Sequence, residues 1–310
     1  MNDAVANREP VGGGTEPTGE SRGDLRAALF GSLQAGCAEV TAQAAAVTVR
    51  PAEAIHELRR GLRRLRALLR MLPAAWPGDL AWQADRALGA ARRALAHARD
   101  ADVLPSAVDR LPAKTQRTMQ AIIAHLQHKR AFVLADPLWP EVAAAAAART
   151  QTVTEALIDQ LGEVDEAMCA RGLGKLLRRL EAAKRRCERK ASHRRIHALR
   201  KSAKYLADAL WWLGSAHGAE HKALSKAVDH LGRATDVLVL HAWLQATGAG
   251  RRLGVRRRQV RAADVFVLDS LAQALAQLDK IGPCDADAGL RLGARAADGR
   301  VALRGLAEVG

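Results

Sequence analysis

One amphipathic segment occurs twice in this 310-residue chain, and the repetition limits the folds that are open to it. Residues 55–72 read IHELRRGLRRLRALLRML, and residues 196–213 read IHALRKSAKYLADALWWL. Both begin with Ile-His-x-Leu-Arg and continue with leucines three or four residues apart, which is the spacing of one helix face. A second pair of similar segments follows in the same order, RDADVL at 99–104 and RATDVL at 233–238. We therefore expect an architecture that arose by internal duplication.

The composition also favours helices. Alanine, leucine and arginine, which are strong helix formers, dominate the chain, and aromatic residues make up only 3% of it. Clusters of proline and glycine interrupt the helical pattern at intervals, for example at 73–77, 105–112 and 137–140. We predict an all-α fold of two pseudo-symmetric four-helix bundles. The predicted helices lie near 22–47, 52–72, 79–104, 114–135, 141–161, 171–191, 193–213, 217–246 and 254–281.

The chain divides into a folded region and two tails. Residues 1–21 are rich in Gly, Pro, Glu and Thr, and they predict a disordered N-terminal tail. Residues 22–282 form the folded region, with one half at about 22–165 and the other at about 170–282. The helical period is lost in residues 283–310, which we expect to be a flexible C-terminal tail.

The first repeat separates an apolar face from a basic face when it is placed on a helix. Its apolar arc contains Ile55, Leu58, Leu62, Leu65, Leu69 and Leu72. Its basic arc contains His56, Arg59, Arg63, Arg66 and Arg70, with Arg60 and Arg64 beside it. Like charges four residues apart, such as Arg59 and Arg63, destabilise a helix by about a few tenths of a kcal/mol per pair. A bound polyanion would relieve this repulsion, and pairing with acidic residues of a neighbouring helix is the alternative.

The second repeat has the same division into faces. Ile196, Leu199, Leu206, Leu210 and Leu213 face the core, and a shared basic side carries His197, Arg200, Lys201 and Lys204. The preceding segment, 171–190, adds another run of lysines and arginines that includes Arg178. The whole chain has 48 Lys and Arg against 33 Asp and Glu, a net charge of +15, which predicts a polyanionic partner. If the two halves face each other, these basic faces line one groove that suits a linear polymer.

These motifs resemble the CHAD family, which is named for conserved histidines and a helical fold. The resemblance rests on His-x-x-Arg-x-x-x-Arg-Arg-x-Arg at 56–66 and on RDADVL, and it covers about residues 22–282. It implies two four-helix bundles that bind inorganic polyphosphate in a basic central groove, and association with polyphosphate granules. Carried over by position, the binding residues are His56, Arg59, Arg63, Arg64, Arg66, His197, Arg200, Lys201 and Lys204. The basic runs add Arg60, Arg70, Arg99, Arg178, Lys226 and Arg233 as further candidates.

The second repeat departs from the family pattern at three positions. The family leads us to expect basic residues where this chain has Tyr205 and Ala207, and an aromatic residue where it has Asp208. The second half is therefore expected either to hold phosphate more weakly or to use Lys222, Lys226 and Arg233 in addition.

Two functions remain as alternatives to polyphosphate binding. A nucleic-acid-binding protein would share the basic charge, but aromatic residues for base stacking are not interleaved with the basic runs. A phosphate-polymer hydrolase would need a convergent acidic metal cluster, which the motifs do not indicate. We therefore expect no enzymatic activity, no cofactor and no metal, although pairs such as His125 and His128 have a spacing that zinc could use.

The sequence leaves two roles open for the repeated histidines. His56 and His197 either contact phosphate or pack at the start of their helices.

The chain has no apolar signal segment at its start and no run of about 18 apolar residues. Its four cysteines are far apart and form no Cys-x-x-Cys pair, so reduced thiols are expected. We expect a cytoplasmic protein, located at polyphosphate granules where these are present.

Overall fold

The computed structural model describes residues 20–111, 113–212, 219–247 and 257–281. Within these ranges the chain is helical and contains no strand, which confirms the predicted all-α fold. Most of the predicted N-terminal tail and the whole predicted C-terminal tail lie outside the described residues. The first helix begins at Glu20, two residues before the start predicted for it.

The helices follow one another with short connections. In chain order they are α1 (Glu20–Ala46), α2 (Pro51–Met71), α3 (Leu80–Ala94), α4 (Ala96–Asp109), α5 (Ala113–Thr118), α6 (Gln120–Leu134), α7 (Trp139–Asp159), α8 (Glu166–Arg189), α9 (His193–Trp212), α10 (Ala219–Ala246) and α11 (Arg257–Leu278). Short 3₁₀ turns at Pro73–Ala75 and Asp279–Ile281 follow α2 and α11.

Helices α1, α2, α3 and α7 pack in a ring and form a four-helix bundle. Each of the four contacts two of the others, so their apolar faces close around one core. The leucines that the first repeat places on its apolar arc are all buried, as the helical spacing predicts. The indole Nε1 of Trp76, after α2, donates a 2.8 Å hydrogen bond to the carbonyl oxygen of Leu157 and thereby ties the end of α2 to α7.

The other helices extend from this bundle in a second packed group. Helix α8 packs on α9, α9 on α10, and α10 on α11, while α4 packs on both α6 and α10. Helix α9 also packs on α2, so the two repeated segments lie side by side. In α9 the predicted core residues Ile196, Leu199, Leu206 and Leu210 are buried, and Leu213 lies outside the described residues. The duplication itself stays a prediction.

The predicted helix at 79–104 is two helices in the structure. Helix α3 ends before Leu95, and α4 continues through Pro105 to Asp109. Proline removes a backbone hydrogen bond from a helix interior, which predicted an end at this point. Burial of the last turns of α4, including Leu104 and Val108, holds the helix together despite that loss. The break at Leu95 redirects the chain, so that α4 lies against α10.

No single described helix is long and apolar enough to span a bilayer. Helices α6 and α7 meet the length and composition for a span only when taken together, and they are bent by 62° at the break between them.

We predict that Gly172→Ala lowers the free energy of unfolding by about 1–3 kcal/mol, the usual effect of overpacking. A Cβ at Gly172 in α8 would overlap the carbonyl oxygen of Met71 at the end of α2. Gly31→Ala in α1 is the control, because a Cβ there meets nothing within 4 Å and alanine favours helix by roughly 0.5–1 kcal/mol. Urea denaturation followed by circular dichroism measures both changes. Equal changes in the two variants would contradict a close contact between α8 and α2.

Candidate functional site

Cations from four helices meet where α2 packs against α9. We call this group the central cluster, and it consists of Arg59, Arg63, Arg92, Arg99, Arg200 and Lys204. The charges of Arg63 and Arg99 are close enough to lower, in addition to burial, the pKa values of Arg59, Arg200 and Lys204. A direct hydrogen bond also joins α2 to α3, because Nη1 of Arg59 donates to the carbonyl oxygen of Arg92 over 2.5 Å.

One carboxylate crosses the contact between the two repeats. Arg63 in α2 donates from Nε and Nη2 to the two carboxylate oxygens of Asp208 in α9, at 2.6 and 3.2 Å. This is the two-bond fork that guanidinium and carboxylate groups form most favourably. The side chain of Asp208 is only 9% exposed, so the pair lies at the inner edge of the cluster. Asp208, a departure from the family pattern, thus holds the two repeated helices together.

A second carboxylate, that of Asp236 in α10, faces three guanidinium groups. Arg99 donates to one of its oxygens over 3.1 Å, and Arg110 donates to the other. Arg200 lies 3.6 Å from the first oxygen, within ion-pair distance. Since Asp236 is buried, its single negative charge is shared among three cations and cannot neutralise all of them.

Several cations of the cluster have no acidic partner among the described residues. Within these ranges no carboxylate oxygen lies within 4 Å of the charged atoms of Arg59, Arg92 or Lys204. In addition, Nε of Arg92 and Nε of Arg200 are buried and find no hydrogen-bond acceptor in the described part of the chain. A buried donor without an acceptor costs on the order of 1–3 kcal/mol, so this surface is suited to a ligand rich in acceptor oxygens.

The pKa values record the same excess of positive charge. Burial, followed by the charges of Arg92 and Arg99, lowers the pKa of Arg59 to about 10. Burial also lowers the pKa of Arg200 to about 10, although the nearby Asp236 acts in the opposite direction. The pKa of Lys204 falls well below its ordinary value, first through burial and then through the surrounding arginines. The charged form of each group is therefore less favourable than in a free side chain, and a nearby negative charge would offset this effect.

The two repeated histidines are exposed beside the cluster, so neither ring packs in the core. Partial burial lowers the pKa of His56, and the cations Arg60 and Lys204 lower it further, against the opposing effect of Glu57. Partial burial and the charge of Arg200 lower the pKa of His197. Both imidazoles are therefore held in the neutral form more strongly than in a free peptide, and an approaching anion would reverse this effect.

The later arginines of the first repeat are paired with acidic residues of neighbouring helices. Arg64 lies 3.3 Å from Glu39 in α1. Arg66 and Arg70 share Asp85 in α3, at 2.8 and 2.7 Å. Pairing with acidic residues of a neighbouring helix, the alternative to a bound polyanion that the sequence left open, therefore applies to these three residues and to Arg63. On its own helix, Arg60 pairs with Glu57 at 3.0 Å.

Arg66 and Arg70 differ in exposure. The side chain of Arg66 is only 7% exposed, so it lies with the core side of α2 although the helical arc placed it among the basic residues. The guanidinium of Arg70 reaches the surface and stacks 4.3 Å from the ring centre of Tyr205 in α9. Tyr205, another departure from the family pattern, thus orients Arg70.

A cleft of about 580 Å³ opens between α8 and α9, next to Arg70 of α2. We call it the α8–α9 cleft. Its cations are Arg70, Lys175, Arg178, Arg179, Arg186 and Lys201, and the remaining lining residues are Leu176, Ala182, Ala198, Ser202 and Tyr205. Arg70, Arg178 and Lys201 were candidates from the sequence, and Lys175, Arg179 and Arg186 belong to the basic run at 171–190 that was expected to line the groove. Among the residues that the structure describes, no acidic side chain lines this cleft.

The remaining candidates are distributed differently from the prediction. Lys226 and Arg233 are exposed on α10, and no described contact joins them to the central cluster. Arg92 and Arg110 belong to the site, but the sequence did not single them out, because neither lies in a repeated motif. The described residues also contain no group of three His, Cys, Asp or Glu side chains placed to hold a metal ion.

Comparison with known proteins gives a family and a fold. The family model of the CHAD domain matches residues 32–245. The crystal structure of the CHAD domain from the plant Ricinus communis is similar, with a TM-score of 0.52 and 23% sequence identity over 87% of this chain and 91% of that chain. No curated protein matches the chain. The two structures therefore share the same fold over most of both chains.

We predict that Asp85→Asn lowers the free energy of unfolding by on the order of 3 kcal/mol, because the substitution leaves the buried Arg66 without its charge partner. The control is Asp102→Asn, whose partner Arg130 is 42% exposed, and it should cost less than about 1 kcal/mol. Urea denaturation at neutral pH measures both losses. Similar losses in the two variants would contradict the structural role of the Asp85 pairs.

The pH dependence gives an independent check on the same pair. Burial alone would raise the pKa of Asp85, but hydrogen bonds from Arg70 and Arg66 outweigh burial and hold it below its ordinary value. A carboxyl whose pKa is lowered by folding stabilises the protein fully above its unfolded pKa, near about 3.9. The native protein should have a larger free energy of unfolding than Asp85→Asn at neutral pH. This difference should disappear as the pH falls through the lowered pKa of Asp85.

Proposed function

Because the chain belongs to the CHAD domain family, we propose that it binds inorganic polyphosphate without altering it chemically. The observation that carries this proposal is the central cluster, in which cations from four helices outnumber the carboxylates that face them. Polyphosphate has a negative charge on each phosphate along its length and no bases that would need aromatic platforms. It therefore supplies what the cluster lacks, namely closely spaced negative charge and acceptor oxygens.

The arginines would hold the polymer through paired hydrogen bonds. A guanidinium presents several N–H groups in one plane, and these match the oxygens of a phosphate group. The buried Nε atoms of Arg92 and Arg200 have no acceptor in the described residues and would gain one from the polymer. The charge of the polymer would also raise the lowered pKa values of Arg59 and Lys204 and so favour their charged forms.

His56 and His197 would link binding to proton uptake. The pKa of each is lowered in the free protein, and a neighbouring polyanion raises it. At a pH between the pKa of the free protein and that of the complex, each histidine therefore takes up a proton when polyphosphate binds. Affinity should increase as the pH falls through the pKa of the bound state, and it should become constant below that of the free state.

A binding role agrees better with these side chains than a hydrolytic one. Within the described residues the carboxylates that face the cluster, Asp100, Asp208 and Asp236, already accept hydrogen bonds from arginines. Each would have to give up an ion pair before it could act as a general base or bind a metal ion. We propose the cytoplasm and polyphosphate granules as the sites where the protein acts.

We predict that replacing Arg59 and Lys204 together by Gln weakens the binding of long-chain polyphosphate by at least roughly tenfold. Both cations lack an acidic partner in the described residues, so the polymer loses two contacts. The slope of log affinity against log salt should also become less steep, because fewer counterions are released. Fluorescence anisotropy with labelled polyphosphate at several salt concentrations measures both quantities.

The matched control replaces Arg86 and Arg149 by Gln, which removes the same charge from exposed positions on α3 and α7. It should bind nearly as the native protein does. Duplex DNA and RNA serve as competitors. If native protein binds no polyphosphate, or if nucleic acid displaces it equally well per charge, the proposed function is wrong.

A further inference from the structure

The α8–α9 cleft differs from the first repeat in the balance of its charges. Five of its cations, Lys175, Arg178, Arg179, Arg186 and Lys201, have no carboxylate oxygen within 4 Å among the residues that the structure describes. On α8, Lys175 and Arg179 are four residues apart, so like charges repel along the helix as well. The cleft therefore concentrates positive charge that the described part of the fold leaves without counterions.

The first repeat keeps most of its positive charge in ion pairs. Arg63 and Arg64 each have a carboxylate partner, and Arg66 and Arg70 share Asp85. A polyanion that approaches these arginines competes with carboxylates that are already in place. In the α8–α9 cleft only Arg70 is paired in this way among the described residues, so contacts with the other five cations contribute more to binding.

The size of the cleft limits what can enter it. Its volume of about 580 Å³ is within the range of about 300–1,000 Å³ that is usual for small-molecule sites. An extended polymer is too long for such a space, whereas a short run of phosphates fits. The hydroxyl groups of Ser202 and Tyr205 add neutral donors beside the cations.

Two residues of the cleft, Lys201 and Arg70, lie close to charged side chains of α3. Burial lowers the pKa of Lys201, and the charges of Arg70, Arg66 and Arg92 lower it further. Arg70, which also lines the cleft, is held in place by Asp85 and Tyr205. The positive charge of the cleft therefore adds to that of Arg66 and Arg92, and the nearby Asp85 is already paired with Arg66 and Arg70.

We infer that the α8–α9 cleft is the anchoring pocket for a short run of phosphates, either the end of a long chain or a free short chain. This inference rests on the proposed function, and it adds that the two halves of the chain hold the polymer with different strength. The second half holds the polymer more strongly than the arginines from Arg63 to Arg70 of the first repeat do. The departures at Tyr205 and Asp208 therefore do not make the second half the weaker one.

The test uses inorganic tripolyphosphate and long-chain polyphosphate as separate probes in isothermal titration calorimetry. The cleft variant combines Arg178→Gln, Arg179→Gln and Lys201→Gln, all at exposed positions. The matched control combines Arg86→Gln, Arg117→Gln and Arg149→Gln, which removes the same charge from exposed positions elsewhere. We expect the cleft variant to bind tripolyphosphate at least roughly tenfold more weakly than the native protein. The control should bind it nearly as the native protein does.

The possible failures are distinguishable. If native protein binds the long polymer but the cleft variant binds tripolyphosphate as tightly as native, the anchoring pocket is disproved and the proposed function stands. The same conclusion follows if the control loses as much affinity as the cleft variant, because net charge alone then explains the loss. If native protein binds neither probe, the proposed function and this inference both fail. Circular dichroism verifies that each variant is folded.

Discussion

Repulsion among cations at the contact between α2 and α9 is the constraint on which the rest of the structure depends. Like charges that lie close together in a partly buried site repel one another, and this repulsion acts against the packing of α2 on α9. Two buried carboxylates oppose this: Asp208 joins α9 to Arg63 of α2, and Asp236 joins α10 to arginines of α4 and α9. The apolar faces of α2 and α9 supply the remaining stability, because their leucines are buried throughout. The fold thus tolerates a surplus of positive charge that its own carboxylates do not balance.

That surplus explains why binding, rather than chemistry, is the function that the site supports best. Each carboxylate near the cluster is occupied by a guanidinium, whereas donors such as the buried Nε of Arg92 have no acceptor in the described residues. A ligand with many acceptor oxygens and a negative charge on every unit provides both the missing hydrogen-bond acceptors and the missing negative charge. The α8–α9 cleft extends the same logic, because its cations lie on two packed helices with Arg70 held beside them by Asp85.

Helical periodicity was sufficient to predict the all-α fold and the buried leucines of both repeats, because a helix face is set by spacing along the chain. The ion pairs could not be predicted in this way. Arg66 finds Asp85 only because α3 packs against α2, and Arg99 finds Asp236 across a separation of 137 residues. The break at Leu95 was also missed, since no proline or glycine marks it. Tertiary packing therefore decided which basic residues are paired and which remain available for a ligand.

The most direct test of this account is the stability of Lys204→Met in urea at low salt, with and without long-chain polyphosphate. Folding lowers the pKa of Lys204, so its charge destabilises the free protein below that pKa. We expect the variant to be more stable than the native protein when no polymer is present, and we expect polyphosphate to stabilise it less than it stabilises the native protein. A variant that is less stable than native, and that gains as much from polyphosphate, would show that Lys204 is a structural cation and would contradict the account.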